Sequence, residues 1–507
     1  MNIHNQLSPT NRWLIIIAVM TATLMQTLDM TIINVALPQM QGSLAARPDE
    51  ITWILTSFLV SSAIFMPLTG YFTDRLGQKK YLLLSIAGFV ISSGLCGIST
   101  NITQIVIFRL LQGACGAALI PLSQTIMANI YPDQDRGKAM AIWGIGVMVG
   151  PILGPTLGGI ITELTTWRWN FYINVPVGII CLTLTWQYLP DTETKDRSMD
   201  WIGLTLISTS IAALQYFLDR GNQDDWFDSR EICIAAFLTI VGFLSFLLHS
   251  VVKKTEKIVF DLTIFLDRNF SLASLLLAMF GLGLFGAMVI LPLMLENLFN
   301  YPVITTGLVM APRGIAAMIS MIIVGQLIKK TDARWLILAG LIISAGGMYT
   351  GTYYNLNLNS EWIVGSILLQ GLGMGMIFVP LSTLAFTTLP EHLRSEGSGL
   401  FNLLRTIGSS VGISIVANLL SRGAQTNWNN FGKFVNQYNP ALLKYAQELA
   451  NHGIPSTLAK ATIAKTVATN AQMLSFVNVH AFVAYSFLVM IPLVFLFEKQ
   501  RILAKEQ

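Results

Sequence analysis

The sequence predicts an all-α membrane protein of fourteen transmembrane helices, built as two six-helix bundles with two further helices inserted between them. Three observations predict it. The 507 residues are 53% apolar and only 11% charged, with a mean hydropathy of +0.61, whereas a soluble domain carries about 25% charged residues. About fourteen apolar runs punctuate the chain, most near the roughly 20 residues a bilayer crossing needs. An internal repeat is also present. Leu110-Leu111-Gln112-Gly113 recurs as Leu368-Leu369-Gln370-Gly371, and at the same offset of 258, Pro132 matches Pro390 and Arg136 matches Arg394. Repeated six-helix halves with a binding site between them are a common transporter plan. The offset is too long for six helices alone, and two extra helices within 201–250 account for it. The expected division is 1–195 for the first bundle, 196–255 for the inserted pair and 256–507 for the second bundle, with a long polar loop at 421–473.

The first run, 13–36, lacks a small-residue cleavage site and reads as a retained helix rather than a signal peptide. It contains Asp29. A carboxylate in hydrocarbon costs at least roughly 2.5 kcal/mol, and nothing nearby in sequence neutralises it. It must face a protein interior or wet cavity, find a partner on another helix, or carry a proton. Runs 52–72 and 81–99 are joined by Gly70-Tyr-Phe-Thr-Asp74-Arg75-Leu-Gly77-Gln-Lys-Lys80. Its glycines permit a tight turn, and Asp74 is placed to pair with a helix end or a cation and latch one conformation. The run at 104–127 carries Arg109, about 10 Å below the outer face at about 1.5 Å per residue, a depth comparable to that of Asp29. The two charges are expected to pair, either as a static pair that orders the bundle or as part of a transport path.

The fifth run, 138–161, holds Gly146, Gly150, Gly154 and Gly158 at every fourth position, with Gly159, Pro151 and Pro155 among them. The glycine face lets a neighbouring helix approach closely, and the prolines remove backbone donors. The combination predicts a close-packed hinge. Runs at 170–189, 201–218, 231–250, 270–296, 304–327, 335–354, 362–386, 396–420 and 474–497 complete the set. Glu296 falls near an outer helix end and Arg313 about 13 Å inside the tenth run. Arg405 either lines a cavity or meets backbone carbonyls. His249 and His480 are expected at interfaces. Gln26, Asn34, Gln112, Phe280, Phe285, Arg313, Met374, Phe378 and Arg405 are candidate linings of a substrate cavity. The loop 421–473 has helix-compatible stretches and is either a solvated connector or a docking surface.

With the N-terminus inside, 19 of the 31 Lys and Arg fall on inner loops and 9 on outer ones, which places both termini in the cytoplasm. The basic residues lie in loops between apolar runs and set topology, which argues against a nucleic-acid surface. The four cysteines have no metal-ligand spacing. No G-x-x-x-x-G-K phosphate loop is present, which argues against ATP-driven transport. No catalytic or metal-binding constellation is predicted, so the chain is not expected to be an enzyme.

The 70–80 loop, the Arg109-Leu-Leu-Gln112-Gly113 run and the Gly-Pro helix together resemble the three signature motifs of major facilitator drug:proton antiporters. Leu28 to Pro38, Trp167-Arg-Trp-Asn-Phe-Tyr-Ile-Asn174-Val-Pro176 and the inserted helices are similar to the fourteen-helix branch, close to EmrB-type multidrug exporters. The resemblance implies a major facilitator fold, rocker-switch alternating access, and drug export from the bacterial inner membrane driven by proton entry with no cofactor. It implies Asp29 and Arg109 as the proton-coupling pair, Gly70, Asp74, Arg75 and Gly77 as a conformational latch, and Gly150, Gly154, Pro155, Gly158 and Gly159 as the antiporter motif. A periplasmic adaptor of the EmrA type and an outer-membrane channel are implied partners. The second half has Lys329 where the first has Asp74, and Ile367 where it has Arg109, so coupling is expected in the first half. An uptake symporter, an exporter of a lipid, siderophore or metabolite, and a non-transporting receptor are the rival readings.

Overall fold

Hydrocarbon lacks water to satisfy peptide groups, so the chain answers with helices. The computed structural model describes residues 8–47, 50–196, 198–253, 259–436, 438–452 and 455–498, and among these no strand occurs. Of the basic residues that fix the expected topology, Arg197, Lys254, Lys257, Lys499, Arg501 and Lys505 lie outside the described residues. The side bearing Arg12, Lys79, Arg136, Lys329 and Arg394 is called the basic face below, and the opposite side the far face.

The first half comprises α1 (Pro9–Ser43), α2 (Trp53–Phe65), α3 (Thr69–Leu76), α4 (Gln78–Ile98), α5 (Ile102–Gly116), α6 (Leu119–Ile130), α7 (Arg136–Leu164), α8 (Trp169–Tyr172) and α9 (Asn174–Tyr188). The inserted pair is α10 (Trp201–Arg220) and α11 (Arg230–Lys253). The second half comprises α12 (Arg268–Asn297), α13 (Val303–Leu327), α14 (Ala333–Thr350), α15 (Ser360–Ala385), α16 (Arg394–Gly432), α17 (Pro440–Asn451) and α18 (Ser456–Val494). Thirteen segments among the described residues are long and apolar enough to span. The run expected at 170–189 is the fourteenth. It is broken at Ile173 into α8 and α9, neither long enough alone.

α1, α4, α5, α7 and α9 pack around one another, as do α12, α14, α15, α16 and α18. α7 lies against α1 on one side and α13 on the other. Two expectations change. α16 and α18 each run 39 residues, about 58 Å, against a hydrocarbon core of about 30 Å. Most of the expected 421–473 loop is therefore helix, with the helix-compatible stretches expected around Pro440–Asn451 and Ser456–Thr469 falling in α17 and α18. No proline interrupts 394–432, and the extensions are clipped together where Asn427 Nδ2 donates to Ser475 Oγ at 3.1 Å. His480, expected at an interface, is buried within α18 against Tyr354, their rings 5.3 Å apart.

Candidate functional site: a buried ion pair beside a glycine-faced helix

α1 is threaded with Thr23, Thr27 and Thr31, whose hydroxyls bond back to carbonyls three or four residues earlier. This leaves Asp29 as the one acid on the buried face of α1. It is fully buried. Its Oδ2 accepts from Arg109 Nη1 at 2.6 Å. Its Oδ1 accepts from Gln112 Nε2 and from Asn174 Nδ2, both at 2.9 Å. Asn174 also reaches Ser93 Oγ at 3.0 Å. Arg109 donates from Nε to the Ile54 carbonyl at 3.0 Å and from Nη1 to Gln112 Oε1 at 2.8 Å. Its guanidinium carbon sits 4.2 Å from the centre of the Phe58 ring. α5 and α9 thus meet the α1 carboxylate directly, with α2 and α4 holding Arg109 and Asn174 from behind. A buried charge is tolerable when paired and hydrogen-bonded, and this one is met by a cation and two amides.

Sequence reasoning found the Asp29–Arg109 pairing from depth alone. It did not find Asn174 as a ligand of the carboxylate, although that residue stood in the quoted Trp167–Pro176 stretch. An amide carries no charge to flag it. A second carboxylate was also missed. Asp219, at the end of α10, accepts from the hydroxyl of Thr56 on α2.

The glycines of α7 face α1 turn by turn. Added Cβ atoms at Gly150 and Gly154 would lie 2.2 Å from Thr27 Oγ1 and 2.0 Å from Thr31 Oγ1, and one at Gly158 2.4 Å from the Ile32 carbonyl. These contacts bracket Asp29, and Thr31 Oγ1 donates to the Gly150 carbonyl at 3.2 Å. Gly159 and Pro155 lie beside this face, half-buried. The opposite side of α7 meets α13, where Gly307 and Gly314 admit Thr156 and Ile152.

At the basic face, Gly77 adopts φ +81°, a conformation that favours glycine, and turns the chain from α3 into α4. Gly70 meets Glu396 of α16 in the other half, where a Cβ would come within 2.7 Å of the Glu396 Cβ. Arg75 donates to the Tyr71 hydroxyl at 2.6 Å, and the Asp74 carbonyl accepts from Lys195 N at 2.6 Å. The repeated arginines make reciprocal contacts. Arg136 Nη1 donates to the Phe386 carbonyl at 3.1 Å and Arg394 Nη1 to Asn129 Oδ1 at 3.2 Å. Lys329 pairs with Asp135 beside them. Trp143 of α7 stacks on Phe378 of α15, 5.5 Å between centres. The two halves are closed against each other on this face.

The proposed cavity residues are spread over several helices in this closed state. Gln26 Oε1 accepts from Ile120 N at 3.1 Å, in the first turn of α6. Asn34 is exposed. Phe280 packs on Phe487 of α18, Phe285 is half-buried, and Met374 is buried in α15. Arg405 is buried, and among the described residues no carboxylate pairs with it. Arg313 Nη2 donates to Gln370 Oε1 at 2.8 Å, so Gln370 binds an arginine as its repeat partner Gln112 does, but from α13. A cavity of about 20 Å³ between α7, α12 and α13 is lined by Ile152, Pro155, Met288, Met310 and Arg313.

Paired bundles with a buried ion pair, a helix packed between the halves and one closed face have the build of a membrane transporter. The comparisons specify which. The model of the Major Facilitator Superfamily matches residues 19–413. The chain is 34% identical over 457 residues to the multidrug export protein EmrB of Haemophilus influenzae, covering 90% of this chain and 89% of that one. It is 34% identical to the fatty acid resistance protein FarB of Neisseria gonorrhoeae and 35% identical to EmrB of Escherichia coli, each over 94% of both chains. Among solved structures, the human organic anion transporter MFSD10 superposes with a TM-score of 0.63 at 13% identity, covering 96% of this chain and 100% of that one. The proton:xylose symporter XylE gives 0.60 at 13% identity, covering 95% and 96%. The chain belongs to the Major Facilitator Superfamily, and it is a transporter rather than an enzyme.

Proposed function

We propose that this protein exports hydrophobic drugs and toxic compounds across the bacterial inner membrane in exchange for protons. The observation that carries the reading is the buried Asp29–Arg109 pair, bracketed by the glycine face of α7. Its similarity to EmrB-type exporters supports the cargo class. In this reading the basic face is cytoplasmic, both termini lie there, and the driving force is the proton gradient with no cofactor. The chain divides functionally at 1–195, 196–255 and 256–507. Asp29 takes a proton when the cavity opens outward. Neutralising it weakens its hold on Arg109 and removes a charge from the closing interior. The halves then rock, Gly70, Asp74, Arg75 and Gly77 release the cytoplasmic latch, and the proton leaves as drug binds. The far-face extensions of α16 and α18 form with α17 an apolar groove of about 290 Å³ lined by Phe431, Phe434, Leu442, Tyr445 and Ile463. This is where an adaptor of the EmrA type would dock and lead to an outer-membrane channel.

The test is export from proteoliposomes under an imposed proton gradient. Wild type accumulates or expels a dye such as ethidium only with the gradient, and Asp29→Asn loses that dependence. An Asp29→Asn protein that transports uphill as well as wild type refutes the role.

A further inference from the structure

The inserted pair lies across a seam between the halves. α10 packs against α2 of the first half and, more lightly, against α16 of the second. The two joints differ in kind. On α2 the contacts are close and varied. The Trp53 and Tyr216 rings stand 6.1 Å apart, and Asp219 accepts from the Thr56 hydroxyl. The Arg220 guanidinium carbon lies 5.3 Å from the centre of the Trp53 ring, a distance at which cation and ring attract. The same turn of α2 supports the ion pair, since the Ile54 carbonyl accepts from Arg109. On α16 two neutral hydrogen bonds take their place. Trp226 Nε1 donates to Asn418 Oδ1 at 3.4 Å, and Ser421 Oγ donates to Asn222 Oδ1 at 3.3 Å. Both are longer than the ordinary range for their type.

The turn that reaches α16, between α10 and α11, has an uncommon backbone. Asp225 and Trp226 both adopt φ +54°, in the left-handed region that bulky residues seldom occupy. Such conformations persist where the surroundings over-determine them. Here Trp226 N donates to the Gly221 carbonyl at 2.7 Å. The indole meets Phe217 edge-on, 5.3 Å between centres, and a Cβ at Gly221 would lie 2.6 Å from it. The indole N–H is thereby fixed toward the second half. Halves that rock as rigid bodies must disturb one of the two joints, and the weaker one yields. Resting on the rocking motion proposed above, we infer that the inserted pair rides with the first half and that its far-face turn is a releasable latch. Trp226 and Asn222 hold Asn418 and Ser421 of α16 in this state and let go when the far ends of the halves move past each other. The two added helices thus restrain the movement of one half against the other.

The experiment uses the full-length protein in proteoliposomes and reads ethidium export under an imposed proton gradient. Every form carries Cys233→Ser, which removes the exposed native thiol. One form adds Asn222→Cys and Ser421→Cys across the latch; another adds Trp53→Cys and Tyr216→Cys across the joint to α2. A short bis-methanethiosulfonate links each pair, and a reductant frees it. Linking the latch blocks a conformational step, so export slows roughly tenfold or more and recovers with reductant, whereas linking the α2 joint leaves the rate within about twofold of its own reduced form. Export undiminished by the linked latch, or slowed as much by the linked α2 joint, overturns the inference. Where a cysteine form does not export even when reduced, hydrogen exchange decides. In Asn418→Ala the 221–229 turn loses its partner on the other half and exchanges several-fold faster, while the Tyr216 turn of α10, held by α2, keeps its protection. Unchanged exchange in the 221–229 turn, or an equal rise at Tyr216, overturns the inference as well. A wild type that moves no ethidium under the gradient sinks the export reading, and the exchange measurement still judges the latch.

Discussion

At the scale of residues, the Asp29 network obeys the rule that a buried charge needs every partner it has. Arg109→Gln leaves the carboxylate without its cation, and breaking one side of such a pair costs about 3–5 kcal/mol. The melting temperature of Arg109→Gln in detergent is expected to fall well below wild type, and the double variant Asp29→Asn/Arg109→Gln to regain part of the loss. Equal melting of the two variants would contradict this. Asn174→Ala removes one of three donors, and its melting temperature is expected to fall by the equivalent of about 1 kcal/mol. Outside the membrane, Asp200 caps α10 and receives Lys253 Nζ at 2.9 Å and His249 Nε2 at 3.0 Å. Burial pushes its carboxyl up, but the bonds from Lys253, the Gly203 N–H and His249 outweigh it and hold the group below its ordinary 3.8. A depressed carboxyl contributes stability above its unfolded value that is lost as acid approaches the folded one. Melting of wild type and Asp200→Asn should therefore differ at pH 7 and converge only below about pH 4. Asp29 and Arg109 were legible in the sequence because charge in an apolar run demands explanation, whereas Asp219 was missed because it lies just past the expected run 201–218. Asn174 and Thr56 were not legible, because neutral polar side chains occur in spans without one.

At the scale of elements, the spans were readable from hydropathy and their ends were not. Lipid solvation selects for apolar runs, but a helix continues past the interface as long as nothing breaks it, which is why α16 and α18 extend beyond the expected boundaries at 420 and 474. The break at Ile173 lies three residues ahead of Pro176, and Pro176 sits in the first turn of α9, where a missing N–H is harmless. The glycine face of α7 was legible as spacing; that its partner would be the turn of α1 carrying Asp29 was not. Gly154→Ala forces a methyl group into Thr31, and overpacking of this kind costs roughly 1–3 kcal/mol. Its melting temperature and its export rate are both expected to fall, whereas Gly94→Ala, where a Cβ meets nothing within 4 Å, should change neither.

At the scale of the whole molecule, the repeat at offset 258 is realised as reciprocal contacts between halves, Arg136 reaching the end of α15 and Arg394 the end of α6. Removing both arginines should loosen the basic face. Hydrogen exchange at the starts of α7 and α16 is expected to accelerate in Arg136→Gln/Arg394→Gln relative to wild type, and unchanged protection there would show that the remaining contacts, Trp143–Phe378 and Lys329–Asp135 among them, suffice to close this face. The repeat told of two halves but not of their different electrostatics, because Arg109 and Arg313 enter from non-equivalent helices. The packing of α7 has one more consequence. From Gly150 to Gly158 backbone rests on hydroxyl and carbonyl at successive turns, with no long flexible side chain between to absorb movement. Close-packed interiors compress little, so a shift of the first helix passes to the fifth undiminished, and from there across to the opposite bundle. The mechanism has the character of a stiff lever with no slack in its pivot.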